Sequence, residues 1–189
     1  MWNMRVSHVR PTGVERTFGE DEIIVSKTDA KGIIRYANGV FLRVSGYEED
    51  EVLGQPHNII RHPSMPRCIF RLLWDTIASG EEIFAYVLNL ASDGAHYWVF
   101  AHVTPSFGPR GEIIGYHSNR RLPDARQIDA IAPIYSALLA EERRHSQASA
   151  AVDAGSALLN QVLADLGQTY DEFVWSVGTT TPAMTGAAR

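Results

Sequence analysis

The sequence holds a single cysteine, Cys68, among 189 residues, so no disulfide framework can form within one chain. It has no apolar run approaching the ~20 residues that cross a bilayer. Its opening, MWNMRVSHVRPTGVERTFG, lacks the apolar centre of a secretory signal. We therefore expect a cytoplasmic protein with no membrane insertion. A basic excess is also missing: the net charge is −5, and no Lys/Arg cluster is interleaved with aromatics, so no nucleic-acid partner is expected. There is no HExxH, no Gly-rich phosphate loop, and no nucleophile elbow around Ser26, Ser45, Ser64, Ser106 or Ser118. The acidic pairs at 48–50 and 81–82 read as solvated turns or helix starts. His145, in EERRHS, reads as a charged helix end rather than a phosphoacceptor. No enzyme is expected. What is present is 45% hydrophobic residues, enough for one globular core with appended structure.

The chain divides by periodicity. Residues 1–20 show none and are expected to form an extended arm. EIIVSKT (22–28) and GIIRYAN (32–38) are β-rich and flank DAKG, a hairpin signal. Val40, Phe41 and Val44 then fall at helical spacing, with Asn38 as N-cap and Gly46 as stop. EEDEVLG is one helical turn. Ile69, Phe70, Leu73, Trp74 and Ile77 predict a helix within 65–80. Three more strands follow, at 83–92, 95–107 and 112–121, with a hairpin at Asp93-Gly94. The class is therefore α+β: a five-stranded antiparallel sheet with short helices over one face, spanning 21–121. An amphipathic helix is expected at 122–145, with Pro133 kinking it or beginning a new turn, then a linker at 146–157. A C-terminal helix is expected at 158–177, then a disordered tail at 178–189.

The helices between the second and third strands must cross the sheet and enclose space against it, where such folds place a ligand. QPHNIIRHPSMP (55–66) supplies His57, Asn58, Arg61 and His62, and the following helix supplies Trp74. The strands supply Asn89, Tyr97, Trp98, His102 and Asn119 as further candidates. Arg61 beside His62 offers charge-assisted donors for a phosphate or a ring carbonyl. Trp74 and Trp98 offer stacking faces, although core packing explains Trp74 equally well. The histidines are too widely spaced for zinc. A single axial ligand to haem b, from His57, His62 or His102, stays open.

GIIRYANGVFLRVSGYEEDEVLGQPHNIIRHPSMP, together with DGAHYWVFAHVTP, resembles the PAS domain of bacterial aerotaxis receptors. The likeness runs from about Glu22 to Arg121. It implies a PAS fold that holds FAD non-covalently and reports redox or oxygen state to a chemoreceptor or histidine-kinase-type signalling partner. It also implies a cofactor pocket built from Asn38, His57, Arg61, His62, Trp74, Asn89 and Trp98. Two departures stand out. Ser64 follows RHP where many members carry Asp, and EIFAYVLNLASDG replaces a strand rich in basic residues. RCIF around Cys68 is superficially similar to the cysteine motif of light-sensing flavin domains, but it lies after MP in the longer helix. A cofactor-free PAS module for dimerisation or docking is the remaining alternative. The amphipathic C-terminal segments imply a stand-alone sensor that acts through a partner or through a homodimer.

Overall fold

The computed structural model describes residues 9–178. Five strands form one antiparallel sheet: β1 (Ile24–Asp29), β2 (Ile34–Ala37), β3 (Ile83–Leu90), β4 (His96–Phe107) and β5 (Ile113–Arg121). Their order across the sheet is β2-β1-β5-β4-β3. The DAKG turn closes because Asp29 Oδ1 accepts from the amides of Lys31 and Ile33, while Gly32 takes the positive φ of 75° that the turn demands. Between β2 and β3 lie α1 (Gly39–Ser45), α2 (Glu49–Val52), a 3-10 turn (His57–Ile60) and α3 (Arg67–Ala78). The apolar stripe of α3 buries Cys68, Ile69, Leu73 and Ile77. Each such side chain contributes roughly 1.5–3 kcal/mol on leaving water.

The sheet and α1–α3 follow the sequence expectation. The C-terminal third departs from it. Residues 146–157 are not a linker: α5 (Ala148–Leu166) runs through them. Their small side chains are a packing requirement, because Ala151 and Gly155 are the buried face of this helix. The expected helix at 158–177 is also two pieces, since Gly167 at φ 65° ends α5 and α6 (Tyr170–Ser176) starts from a Thr169 capping box. Pro133 does not divide α4 (Ala125–Arg143), which continues through it. In the arm, residues 9–20 lie beside the start of β4, with Arg16 N donating to His96 O and His96 N to Val14 O. Residues 1–8 of the arm and 179–189 of the expected tail lie outside the described residues. Among the described residues, no helix is long and apolar enough to cross a membrane.

The C-terminal helices bind both sides of the sheet. On the outer face, Tyr135 of α4 packs on Trp98, with ring centroids 6.1 Å apart, and Trp175 of α6 packs on Phe84 and Phe100. The Tyr135 hydroxyl donates to the carbonyl of Tyr86 at 2.8 Å, closing part of the β3 edge. Arg61 bridges to Asn89 and closes more of it. On the other side, Glu142 near the end of α4 reaches the start of α3. Its two carboxylate oxygens accept from the amides of Arg67 (3.0 Å) and Cys68 (2.8 Å). Pro66 has no side chain able to cap α3, so this acid does it from another helix. Arg71 of α3 adds a surface ion pair with Asp153 of α5.

The three helices meet at Gly155. A Cβ there would stand 2.9 Å from Glu142 Cγ and 3.0 Å from Cys68 Sγ. Glu142 cannot swing aside without releasing two amides. Gly155→Ala should therefore destabilise the protein by about 1–3 kcal/mol, although alanine is the better helix former. Urea unfolding checks this, and a stabilised variant would contradict the packing described. Glu142→Ala should cost about 1–3 kcal/mol in the same assay, because it leaves buried amides without an acceptor.

Candidate functional site

Strand alternation turns Ser26 and Thr28 of β1, Val87 and Asn89 of β3, Ala101 and Val103 of β4, and Tyr116, Ser118 and Arg120 of β5 to one face. With the 3-10 turn, α3 and the first half of α5, they enclose a cavity of about 730 Å³. Its walls are mainly apolar, with Ile60, Phe70, Leu73, Trp74 and Ile77 facing the sheet. Trp74 stands edge-on to Tyr116, with centroids 5.4 Å apart. Ser149, Val152 and Asp153 bring α5 into the wall.

Several polar groups in this wall are left unsatisfied. Thr28 Oγ1, Asn89 Nδ2, Ser118 Oγ and Arg120 Nη1 are all buried without a hydrogen-bond partner. Such groups cost free energy when left so. Arg120 is the extreme case: it is 4% exposed and, among the described residues, has no carboxylate in an ion pair. Its Nη2 donates to Ser26 Oγ at 2.9 Å and to His57 Nε2 at 2.6 Å, and its guanidinium lies 5.8 Å from the Phe41 ring. Burial lowers its pKa to about 10. His57 is pushed down to about 3, first by burial and then by the Arg120 charge, so its ring is neutral at neutral pH.

The proposed site residues divide. His57, Arg61, Trp74 and Asn89 line the cavity. Arg61 lies on its rim, with the guanidinium 4.2 Å over the Phe70 ring. Asn38, His62 and Trp98 do not line it. Asn38 is consumed by structure: Oδ1 accepts from Val25 N and Phe41 N, and Nδ2 donates to Ile23 O. His62 turns the other way, its Nδ1 accepting from Ser64 N and its ring packing edge-on to His96. Trp98 points to the outer face because its neighbours in β4, Tyr97 and Val99, take the inner one. His102 shares that outer face, stacked on Phe84 and bonded to Glu82.

Arg120, Ser118, Ser26 and Thr28 were not legible as site residues. The signal was the alternation Tyr116, Ser118, Arg120 in EIIGYHSNRR, which a strand-end arginine disguises as a solvated terminus. Asn119, the expected contributor, has the opposite parity. The histidine arrangement also bears on haem. His57 Nε2 is taken by Arg120, and His62 and His102 face away from the cavity. Among the described residues, no group of three His, Cys, Asp or Glu side chains is placed to hold a metal. Cys68 does not line the cavity; burial and the neighbouring Glu142 push its thiol up to about 12, the opposite of a reactive thiolate.

His57 sets an acid limit. Its folded pKa of about 3 lies below the ordinary 6.5, so the unfolded chain takes the proton first. The stability from neutral His57 is complete above pH 6.5 and is lost as pH falls toward about 3. His62, lowered to about 4, acts in the same direction. Thermal melts should fall between about pH 7 and pH 4.5, and His57→Gln should flatten, without abolishing, that fall. An unchanged slope would mean that His57 does not carry it.

Comparison with known proteins agrees with this geometry. Residues 34–120 match the family model described as PAS fold. The aerotaxis receptor of Escherichia coli (strain K12) is 40% identical over 132 residues, which is 70% of this chain but 26% of the receptor. A nitrogen fixation regulatory protein of Klebsiella pneumoniae is 32% identical over 52% of this chain and 20% of its own length. The chain thus spans about a quarter or less of these curated relatives. Among solved structures, the light state of the blue-light photoreceptor Aureochrome1 LOV is 25% identical, with a TM-score of 0.50 over 65% of this chain and 91% of that one. By its strand order, its cavity under the short helices and these matches, residues 34–120 of the chain form a PAS-fold domain, and that domain is similar to the aerotaxis receptor of Escherichia coli.

Proposed function

We propose that this chain is a redox or oxygen sensor that holds FAD in the cavity between the sheet and α3. The observation that carries this reading is the set of unpartnered buried donors, Asn89 Nδ2 and Arg120 Nη1 above all, on a mainly apolar wall. A flavin ring presents flat apolar faces and an edge of carbonyl oxygens and ring nitrogens, which such a wall complements. Asn89, Ser118, Thr28 and Arg120 would hold the polar edge, and Trp74 would pack beside the ring. The flavin supplies reversible reduction, with a proton gained at a ring nitrogen. The likeness to the aerotaxis receptor supports the redox sense of the signal, and that to a light-state LOV photoreceptor structure supports a planar cofactor.

The chain's own residues convert a change at the ring edge into a change outside. An Asn amide can present its NH2 or, after rotating, its carbonyl. Asn89 lies on β3, three residues from Tyr86, whose carbonyl accepts from Tyr135 of α4 and whose hydroxyl donates to Val174 O of α6 at 3.4 Å. A ligand that favours one Asn89 rotamer thus biases how α4 and α6 sit on β3, by no more than its differential affinity for the two arrangements. The output is proposed to reach a chemoreceptor or histidine-kinase-type protein, directly or through a homodimer. No catalytic step is assigned to the chain.

An absorption spectrum of the purified chain, before and after dithionite, tests the reading. Oxidised-flavin bands that bleach on reduction are expected, whereas a Soret band would assign haem instead. Asn89→Leu should weaken flavin binding by about tenfold while leaving the melting behaviour close to that of the parent. A colourless protein that takes up neither FAD nor FMN on incubation would overturn the proposal.

A further inference from the structure

A second cavity, of about 750 Å³, lies against the first and shares Asn58 and Arg61 with it. It is not part of the PAS sheet's interior. Its walls come from the N-terminal arm, the segment between the 3-10 turn and α3, and the connection between α4 and α5. Its charge is one-sided. Arg10, Arg61, Arg67 and Arg143 line it, and among the described residues none of these guanidinium groups has a carboxylate in an ion pair. His145 lines it as well, but its ring already meets Glu141 at 3.4 Å. The single carboxylate in the wall, Glu142, is committed to the amides of Arg67 and Cys68. Burial, followed by the nearby Arg67 charge, lowers the Arg61 pKa to about 10. Four arginines around one committed carboxylate leave this wall with a net positive charge, and guanidinium forks match phosphate oxygens in pairs.

We propose that this second cavity binds the diphosphate of a dinucleotide whose ring occupies the first, with Arg67 of α3 and Arg143 of α4 as the principal phosphate ligands. The inference rests on the flavin reading and deepens it. The two cavities share the wall made by Asn58 and Arg61, so an elongated ligand with a planar end and a dianionic centre would reach both by crossing that wall. A mononucleotide or riboflavin would fill the first alone. Arg143 lies on α4, one residue from the acid that caps α3. The ligand's anionic part would therefore pin the α4–α5 connection to the pocket wall, and its affinity and the position of these helices would be linked.

The test uses the full chain, with riboflavin, FAD and ADP as separate probes in titration calorimetry. Arg67→Gln with Arg143→Gln is the variant, since both side chains are exposed. Arg110→Gln with Arg126→Gln, outside the cavity wall, is the charge-matched control. The parent and the control should bind FAD at least about tenfold more tightly than riboflavin. The variant should lose most of that preference while its riboflavin affinity stays within about twofold. Equal affinities for FAD and riboflavin in the parent, or a preference that survives in the variant, would overturn the subsite and leave the flavin reading standing. ADP binding that is lost in the variant, with no binding of riboflavin or FAD, would remove the flavin reading and keep an anion site. Binding of none of the three would remove both.

Discussion

The Glu142 carboxylate, held between α4 and the first amides of α3, is the interaction on which the arrangement of this chain turns. The first turn of α3 has amides with no intrahelical acceptor, and Pro66 cannot cap them. Placing an acid from a distant helix there stabilises α3 and fixes the α4–α5 hairpin against the domain in one contact. Much else follows from that placement. Gly155 must lack a side chain, Cys68 is sealed in with its thiol protonated, and α5 is brought near enough to form part of the cavity wall. The C-terminal helices are thus a structural component of the pocket rather than an appendage to a finished PAS domain.

Inside that frame the energetic tension lies in the cavity. Taking an arginine out of water costs several kcal/mol unless its donors and charge are matched. Arg120 meets neutral partners, Ser26 and His57, and leaves Nη1 without an acceptor. His57 accepts from it only while unprotonated. The pair therefore imposes one protonation state on the histidine and holds a positive guanidinium at the inner surface of the sheet. A core selected for stability alone would carry an apolar side chain at position 120. The retained charge is a cost that packing alone does not explain.

Most of the fold was legible because its signals are local. β-branched runs broken by DAKG and Asp93-Gly94, and the three-and-four spacing from Ile69 to Ile77, are properties of adjacent residues. The C-terminal region was misread where small residues carry two meanings. SQASAAVDAGSA looks like a flexible connection, and it is instead the close-packed face of a helix, a distinction that depends on Glu142 and Cys68 across the interface. The pocket was half legible for a similar reason. His57, Arg61, Trp74 and Asn89 fall in it, but Trp98 and Asn119 miss it by one position of strand parity. Arg120 was hidden because the partner of a buried charge is set by tertiary packing, which a strand pattern does not encode.

The closure of the β3 edge has a consequence for assembly. The backbone groups of that outermost strand are covered by the Tyr135 hydroxyl and the Arg61 bridge, both from elements outside the sheet. Any rearrangement that lifts α4 from Tyr86 uncovers its carbonyl on that edge, near the aromatic surface of Phe84, Phe100 and Trp175. An edge in that state is a template for another strand. Movement of one helix would thereby lengthen the stretch of edge on which a neighbouring strand could pair.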